Sequence, residues 1–232
     1  MDTLARLSLP ASPFTAAAVG GGGKTSCLSA LARRYRAQGR SVLLTTTTHM
    51  RHTEEAFCAP DLELLEQRLR ETGFLFTGTP VPEGKLGPLP ADQYTALSRQ
   101  AQVTLVEADG SRGLPIKMPA AWEPVLPPET GHVLVLLGLS GLGQPLAQVC
   151  HRWELAARAL DCGGADIVTP ALAARLLELA YLRPLREQGR PFTVLLNQAD
   201  AASPEAALAL REALSSHPAL ILSLRRELAA AL

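Results

Sequence analysis

The sequence has no excess of charge of either sign. Its 22 lysine and arginine residues balance 22 aspartate and glutamate residues, and the isoelectric point is near 7.0. A protein that attracts nucleic acid or an anionic membrane through its overall field needs a basic balance. The composition therefore predicts neither nucleic acid nor a membrane as a partner, and leaves room only for a local basic pocket.

Long apolar segments and cysteine-rich segments are also missing. No stretch holds the roughly 18 uncharged apolar residues of a membrane span, and the first residues, MDTLARLSLPASPF, lack the apolar core of a secretory signal. The four cysteines are too few and too scattered for a disulfide framework. We therefore expect a cytoplasmic protein in which most cysteines are small buried apolar residues.

The chain does contain valine- and leucine-rich runs that alternate with segments of helical period. Near-continuous apolar runs are typical of strands buried on both faces of a parallel sheet. We expect a single α/β domain over residues 1–232, with a mainly parallel central sheet between two helical layers. The predicted strands are Phe14–Val19, Val42–Thr46, Val103–Ala108, Val133–Leu137, Phe192–Leu196 and Leu220–Leu222, with a weaker candidate at Gly73–Thr77.

Helix signals fall between these runs. An amphipathic stripe predicts a helix over Lys24–Gln38, and Thr-Pro and Ser-Pro pairs at positions 169 and 203 are typical helix starts. Residues 61–72 and 151–160 are amphipathic as well. Two segments dense in proline and glycine, 77–90 and 109–131, are expected to be irregular loops, and long loops in such domains are often functional.

A run of four glycines stands between the first predicted strand and the first predicted helix. Residues without a Cβ let the backbone curl around an anion so that amide groups point inward, and the helix N-terminus adds positive potential. This context predicts a phosphate-binding loop and hence a P-loop NTPase fold. The glycines of the loop are Gly20, Gly21, Gly22 and Gly23.

The residues after the glycines fit the same chemistry. Lys24 would reach the β and γ phosphates, the Thr25 hydroxyl would ligate Mg²⁺, and Ser26 is the less favoured hydroxyl. The usual first glycine of the motif is replaced by Ala18. A dinucleotide-binding loop is disfavoured, because threonine or serine would fall where that motif needs a small packing residue. A glycine-rich turn that binds nothing is the remaining alternative.

A pair of acids follows another predicted strand, in VTLVEADGSRG. Side chains alternate along a strand, so Glu107 and Asp109 share a face while Ala108 points away. A nucleotide site needs a magnesium-directed group at such a strand end, and we expect Asp109 to coordinate Mg²⁺ or hold a water molecule. Glu107 would polarise an attacking water or acceptor, or serve as a buried structural acid.

The segment FTVLLNQAD ends a strand with a base-recognition pattern. The spacing of Asn197 and Asp200 resembles the N-K-x-D element of GTPases, whose aspartate accepts hydrogen bonds from guanine, although Gln198 replaces the lysine. Ser223 lies where such GTPases often carry a serine that contacts the base. We expect GTP to be favoured over ATP; the alternative is an ordinary turn and helix start.

Several weaker candidates lie near the same edge of the predicted sheet. In TTTTHM, Thr47 and His49 are candidate contacts for magnesium, phosphate or substrate, and His49 is nearly as well explained as a surface residue. Arg112 and Lys117 would counter phosphate charge or simply be solvated. The segment CHRWE has no Cys/His pair with zinc-motif spacing, so no metal site is expected there.

Together, VGGGGKTS, LLTTTTHM, VEADGSRGLPIKMPAAWEPVLP, HRWEL and NQAD resemble the YqeC-like family, described as selenium cofactor biosynthesis or selenium-dependent molybdenum hydroxylase accessory proteins. The likeness runs from about Phe14 to Asp200. The chain is also similar to the P-loop GTPases that load nickel or cobalamin into enzymes, without their metal-binding histidine or cysteine tracts. The matching positions, which the resemblance implies as candidate ligand contacts, are Gly20 to Thr25, Thr45 to His49, Glu107 to Ser111, Lys117, Glu123 and His151 with Arg152.

Three functions remain open from the sequence, beside the more remote alternative of a selenium transferase that uses Cys150 or Cys162 as the carrier. The first is a Mg²⁺-dependent nucleoside triphosphatase, with Lys24, Glu107 and Asp109 as catalytic residues, that acts in maturation of a selenium-dependent molybdenum hydroxylase. The second is a phosphoryl or nucleotidyl transferase that acts on a cofactor precursor. The third is a nucleotide-sensing scaffold that binds without turnover and recruits a hydroxylase or a cofactor-biosynthesis protein. The sequence leaves open whether the chain forms a homodimer.

Overall fold

The apolar runs and helical segments alternate along the chain as strands and helices. The computed structural model describes residues 3–224. Its strands are β1 (Phe14–Gly20), β2 (Val42–Thr46), β3 (Met50–Arg51), β4 (Phe74–Phe76), β5 (Thr79–Val81), β6 (Lys85–Gly87), β7 (Val103–Glu107), β8 (Ile116–Lys117), β9 (Thr130–Gly138), β10 (Cys150–His151), β11 (Phe192–Asn197) and β12 (Ala219–Ile221). Its α-helices are α1 (Lys24–Ala37), α2 (Leu62–Thr72), α3 (Ala91–Gln100), α4 (Leu146–Val149), α5 (Trp153–Leu160), α6 (Pro170–Leu177), α7 (Arg183–Glu187) and α8 (Pro204–Ala213).

The central layer is a seven-stranded sheet with the order β12-β11-β9-β1-β7-β2-β4. Every neighbouring pair in it is parallel. The carboxyl end of β1 therefore lies between the carboxyl ends of β7 and β9, since Ala18 is in register with Glu107 on one side and Gly20 with Leu136 on the other. Open parallel sheets bind ligands at this edge.

The two faces of the sheet carry separate apolar layers. Ala17 and Val19 pack in one cluster with buried residues of α5, α6 and α8, whereas Ala16 and Ala18 pack in another with residues of α1. Leu43 of β2 packs with α2 and α3. The alternation along β1 places the sheet between two helical layers, so the predicted three-layer α/β fold is confirmed.

Segments predicted as irregular contain short strands instead. Residues 77–90 hold the β5–β6 hairpin, which pairs with β3 in a small antiparallel sheet. In residues 109–131, β8 pairs in parallel with β10. The helix predicted over 151–160 accordingly begins later, at Trp153. Two-residue strands form when distant segments meet, and so they leave little periodic signal in the sequence.

Helix starts follow the expected capping chemistry. The Thr169 and Ser203 side chains accept hydrogen bonds from the third amides of α6 and α8, and each helix has proline at its first position. Helix α1 starts differently, from Gly23 in a left-handed conformation with no side-chain cap. Among residues 3–224, no helix combines the length and apolar character needed to cross a bilayer.

Candidate functional site

The glycine loop connects β1 to α1 and is shaped by close backbone contacts. Gly20, Gly22 and Gly23 have φ angles of +95°, +81° and +112°, in the region that favours glycine. A Cβ at Gly20 would lie 2.1 Å from the carbonyl oxygen of Leu136, and one at Gly22 would lie 2.3 Å from the amide nitrogen of Gly138. The loop therefore needs glycine for its conformation and for its contact with β9.

Three of the glycine amides donate to acceptors within the protein. The amide of Gly20 donates to both carboxylate oxygens of Asp109 (3.1 and 3.0 Å), and that of Gly21 to the carbonyl of Leu136 at 3.0 Å. The amide of Gly22 donates to the carbonyl of Leu114 at 3.2 Å. We call residues 110–118 the strap, since they cross the loop here. In this conformation these amides do not face an open anion site, unlike the expectation from the sequence.

Lys24 turns back onto the loop. Its Nζ donates to the carbonyl of Gly20 at 2.6 Å and lies 3.2 Å from Oδ1 of Asp109. The residue is 4 % exposed, and Asp109 is fully buried. A buried ammonium group and a buried carboxylate each carry a large desolvation cost, and pairing offsets it. The structure thus brings Lys24 and Asp109 together as an ion pair.

Asp109 has further partners besides the loop. The hydroxyl of Tyr181 donates to its Oδ2 at 2.9 Å, and Nζ of Lys117 lies 3.3 Å from the same oxygen. Burial, followed by the charge of Asp109, raises the pKa of Tyr181 well above its usual value, which keeps the phenol protonated as a donor. The carboxylate is therefore enclosed by protein donors, an arrangement that anchors the loop.

Glu107, rather than Asp109, contacts the predicted metal ligand. The hydroxyl of Thr25 donates to Oε2 of Glu107 at 2.6 Å. Burial has the largest effect on Glu107 and raises its pKa. The charge of Lys24 and the hydrogen bond from Thr25 lower the pKa by less. A carboxylate that is costly to ionise in isolation gains from a nearby cation. Of the two acids, Glu107 is therefore the one in contact with Thr25, and the metal role expected of Asp109 stays a prediction.

The oxygen atoms at this position suit Mg²⁺. Glu107 and Thr25 offer a carboxylate and a hydroxyl, the hard ligands that Mg²⁺ takes when phosphates and water complete its shell. Among residues 3–224, no group of three or more His, Cys, Asp or Glu side chains could hold a metal without such partners. Nearby at the end of β2, the buried hydroxyl of Thr48 has no hydrogen-bond partner in the described part of the chain.

Lys117 joins the site to an exposed turn. Its side chain is buried, and Nζ donates to the carbonyl of Gly110 at 2.6 Å and lies 2.9 Å from Oε2 of Glu123. The same oxygen of Glu123 accepts from Arg152. Trp122, next to Glu123, is 75 % exposed, and the Arg152 guanidinium lies 6.0 Å from its ring centre. Lys117 is thus a buried link, not a solvated loop lysine.

The threonines at the end of β2 and just after it brace the site. Thr46 donates from its hydroxyl to the carbonyl of Glu107 at 2.8 Å, and Thr47 to the carbonyl of Val125 at 2.6 Å. His49 is exposed and lies near the β5–β6 hairpin. The hydrogen bond and the charge of Lys85 lower the pKa of Glu83 in that hairpin, and His49 adds a smaller effect in the same direction. Of the two predicted contacts in this segment, Thr47 ties loops together and His49 lies near the hairpin.

Asn197 connects the end of β11 to the glycine loop. Its Nδ2 donates to the carbonyl of Gly22 at 2.7 Å, and its Oδ1 accepts from the amide of Leu224 at 3.1 Å. Asp200 is exposed, and its Oδ1 accepts from the hydroxyl of Ser223 at 2.5 Å. The predicted base-recognition residues therefore lie beside the loop, as an Asn tether and an Asp/Ser pair.

The remaining candidates lie at the margin of the site. Ser26 is exposed on the first turn of α1, and Arg112 is exposed on the strap with a φ angle of +52°. His151, which is in register with Lys117, is half-buried, and burial is the main cause that lowers its pKa. Sequence analysis missed Tyr181, because nothing local marks a tyrosine that meets a carboxylate 72 residues away.

Comparisons with known proteins agree with the family resemblance. A family model described as YqeC protein matches residues 16–154. The chain is 35 % identical over 178 residues to "Uncharacterized protein YqeC" of Escherichia coli (strain K12), an alignment that covers 73 % of this chain and 67 % of that protein.

Two solved structures show weaker similarity. The hydrogenase maturation factor HypB from Archaeoglobus fulgidus aligns with a TM-score of 0.43 at 10 % identity, over 92 % of this chain and 83 % of that chain. The signal recognition particle receptor FtsY from Elizabethkingia anophelis aligns with a TM-score of 0.42 at 15 % identity, over 91 % and 58 %.

Proposed function

The chain belongs to the YqeC protein family, and from that premise and the site geometry we propose that it is a Mg²⁺-dependent nucleoside triphosphate-binding protein that hydrolyses its nucleotide. The observation that carries the proposal is the contact between Thr25 and Glu107 at 2.6 Å, beside buried Lys24. A hydroxyl, a carboxylate and an ammonium group converge where a glycine loop enters a helix, and triphosphate sites need these groups there.

Nucleotide binding requires hydrogen bonds at the loop to exchange. Lys24 would leave Gly20 and Asp109 for the phosphate oxygens, and the amide of Gly22 would leave the carbonyl of Leu114. The first-turn amides of α1 have no intrahelical partner and offer further donors. The proposed binding step therefore includes a movement of the strap away from the loop.

Glu107 and Thr25 are the proposed holders of Mg²⁺. Their oxygen atoms would hold the ion, and the chemistry it would supply is neutralisation of charge on the phosphate oxygens. Asp109 is proposed to keep the Gly20 amide, the Tyr181 hydroxyl and the Lys117 ammonium group as partners, and to hold the loop rather than the metal. This assignment reverses the roles expected from the sequence, because only Glu107 reaches Thr25.

The pair of Asp200 and Ser223 supports a preference for GTP over ATP. A carboxylate is acceptor-only, so it suits the ring NH and amino group of guanine. Asn197 would hold the segment that carries Asp200 next to the glycine loop through its hydrogen bond to Gly22. The expected result is that Asp200→Ala binds GTP and ATP with similar affinity, whereas the unsubstituted protein prefers GTP.

The proposed biological role is maturation of selenium-dependent molybdenum hydroxylases, which rests on the family resemblance. Nucleotide state would then control contact with a hydroxylase or a cofactor-biosynthesis protein. Deletion of the gene in a host that makes such a hydroxylase should leave the apoenzyme intact and inactive, and Lys24→Ala should fail to restore it.

The direct test is calorimetry with GTP and ATP, with and without Mg²⁺, together with product analysis. We expect Mg²⁺-dependent binding and slow release of phosphate, both lost in Lys24→Ala. Lys85→Ala is the matched control, because Lys85 is an exposed lysine in the β5–β6 hairpin. Absence of binding to any triphosphate by the unsubstituted protein would overturn the proposal.

A second candidate is a nucleotide sensor without turnover. It is favoured by one observation, that Glu107, the predicted water-activating acid, is 6 % exposed and already engaged by Thr25. In that case calorimetry would show Mg²⁺-dependent binding, and product analysis would show unchanged triphosphate.

A further inference from the structure

Lysine is scarce in this chain, and its distribution is uneven in space. It occurs at three positions, 24, 85 and 117, while the other basic residues are arginines. Lys24 and Lys117 are both buried, and both ammonium groups contact the carboxylate of Asp109. Two of the three lysines therefore share one buried counter-ion at the end of β7.

The two lysines contact different carboxylate oxygens of Asp109. Nζ of Lys24 lies 3.2 Å from Oδ1, and Nζ of Lys117 lies 3.3 Å from Oδ2, where the Tyr181 hydroxyl also donates. Both distances are longer than the 2.7–2.9 Å typical of a charge-assisted hydrogen bond. Each ammonium group makes its shortest hydrogen bond to a backbone carbonyl instead, Lys24 to Gly20 and Lys117 to Gly110, both at 2.6 Å.

Lys117 has a second carboxylate partner outside the loop. Its Nζ lies 2.9 Å from Oε2 of Glu123, an atom that also accepts from Arg152 and from the amide of Ala120. These contacts fix the turn that carries Trp122 on its exposed side. The ammonium group of Lys117 is thus shared among the Gly110 carbonyl at 2.6 Å, Asp109 and the Glu123 turn.

A buried carboxylate that loses one cation must be compensated by those that remain, because an unpaired charge in the interior is strongly unfavourable. A triphosphate would draw Lys24 away from Asp109. Tyr181 and Lys117 are then the side chains left on Asp109. A shift of Lys117 towards Asp109 weakens its hold on Glu123, which leaves that carboxylate to Arg152 and alters the surroundings of the Trp122 indole.

We propose that Lys117 is a positioning residue that frees Lys24 for the phosphates and transmits its release to the Trp122 turn. The inference rests on the proposed nucleotide site and adds how occupation of that site is reported at the surface. Lys117 touches no nucleotide in this account; it acts through Asp109 and Glu123.

The test uses tryptophan fluorescence in a Trp153→Phe background, which leaves Trp122 as the sole tryptophan. Lys24→Met removes the first cation from Asp109 without any nucleotide, so it should shift the Trp122 emission of the ligand-free protein. Lys85→Met, at the exposed lysine, should not. When Lys117→Met is already present, adding Lys24→Met should produce no further shift.

The same background reports on nucleotide. In Trp153→Phe protein, Mg²⁺-nucleotide should change Trp122 emission with the affinity measured by calorimetry. Lys117→Met should abolish the signal and weaken binding by about 5- to 150-fold, the range typical of coupled sites. Lys117→Arg, which keeps the charge, should restore part of the signal.

Tyr181→Phe covers the case in which Lys117→Met does not fold. It removes a single hydroxyl from Oδ2 of Asp109 and keeps the ring, so we expect a folded protein with weaker nucleotide binding and a larger emission change per bound nucleotide, since Lys117 must compensate further. An unchanged affinity and an unchanged emission change in Tyr181→Phe would overturn the inference.

The outcomes separate the two proposals. If nucleotide binds but neither nucleotide nor Lys24→Met alters Trp122 emission, the coupling is wrong and the proposed function stands. If no triphosphate binds while Lys24→Met shifts emission through Lys117, the coupling is present and the proposed function is wrong.

Discussion

Asp109 illustrates how a buried acid can organise a loop. Its carboxylate receives the Gly20 amide, the Tyr181 hydroxyl and two ammonium groups, and it is fully buried. Breaking such a set by removing one partner leaves uncompensated charge, which costs about 3–5 kcal/mol in other proteins. We therefore attribute the shape of the glycine loop as much to Asp109 as to the glycines.

The tight contact of Gly22 with β9 predicts a large effect of a single methyl group. Gly22→Ala places a Cβ 2.3 Å from the Gly138 amide nitrogen, and the φ angle is unfavourable as well. Gly39→Ala has a similar φ angle, +74°, with no atom within 4 Å of its Cβ. Both should lower the free energy of unfolding, Gly22→Ala by about 1–3 kcal/mol more than Gly39→Ala because of overpacking. Urea unfolding measures both free energies, and equal losses would show that β9 moves to accommodate the added methyl group.

Glu107 gives a second prediction at this scale. Glu107→Gln keeps the shape and a possible acceptor for Thr25 but removes the negative charge. We expect the gain in nucleotide affinity on adding Mg²⁺ to fall by about tenfold or more, because a neutral amide is a poor Mg²⁺ ligand. Calorimetry at varied Mg²⁺ measures this, with Glu63→Gln on the exposed surface of α2 as the control. A full Mg²⁺ response in Glu107→Gln would exclude Glu107 as the metal holder.

At the scale of elements, the side chain of Asn197 connects the end of β11 to the loop after β1. Asn197 is 3 % exposed and donates to the carbonyl of Gly22 while it accepts from the amide of Leu224. These two contacts hold the glycine loop against the segment that follows β12. They add β11 and the segment after β12 to β9 and Asp109 as the parts of the chain that shape the loop.

Asn197→Ala should therefore weaken both the fold and the proposed nucleotide site. Leaving buried backbone groups without a partner costs about 1–3 kcal/mol of unfolding free energy, and nucleotide affinity should fall with it. Ser140→Ala removes a nearby hydrogen bond, to Gln198, that does not reach the glycines. Thermal unfolding and calorimetry of the two variants test the difference; similar losses of affinity in both would contradict a specific tether.

The elements that could be predicted from the sequence are those with a strong local signal. The sequence predicts β2 with its observed bounds, and β1, β7 and β11 to within a residue at each end. Helix α3 escaped prediction because it starts after Pro90 without a side-chain cap and buries only Leu97. The β8–β10 pair and the Tyr181 contact depend on segments that meet only in the folded chain.

The candidate site, too, is predictable where it depends on local sequence and not where it depends on contacts between distant segments. Glycines, lysine and hydroxyl in succession identify a loop from local sequence, and alternation along β7 placed both acids on one face. Which acid reaches Thr25 was not predictable, because it depends on the register of β7 against β1 and on where β7 ends.

At the scale of the whole molecule, stability should decrease on mild acidification. His132 is buried beside Thr193, and burial lowers its pKa from 6.5. Between that lowered pKa and about 6.5 the unfolded chain binds a proton that the folded chain does not, so the free energy of unfolding falls as the pH falls through this window and levels off below it. Urea unfolding against pH should show this slope, reduced in His132→Gln; an unchanged slope would assign it to other groups.

The balance of charge predicts a solubility minimum near neutral pH. With 22 basic and 22 acidic residues and an isoelectric point near 7.0, the molecules lack net repulsion at that pH. Solubility measured by polyethylene glycol precipitation should rise on both sides of about pH 7. A monotonic trend across neutrality would contradict it.

The contact between Asn197 and Gly22 joins residues 175 positions apart. At synthesis rates of about 5–20 residues per second, Asn197 is synthesised about 9–35 s after Gly22, so the hydrogen bond between them cannot form before then. The finished loop thus exists only late in translation, and any small molecule that depends on it can protect the nascent chain only after most of that chain has emerged.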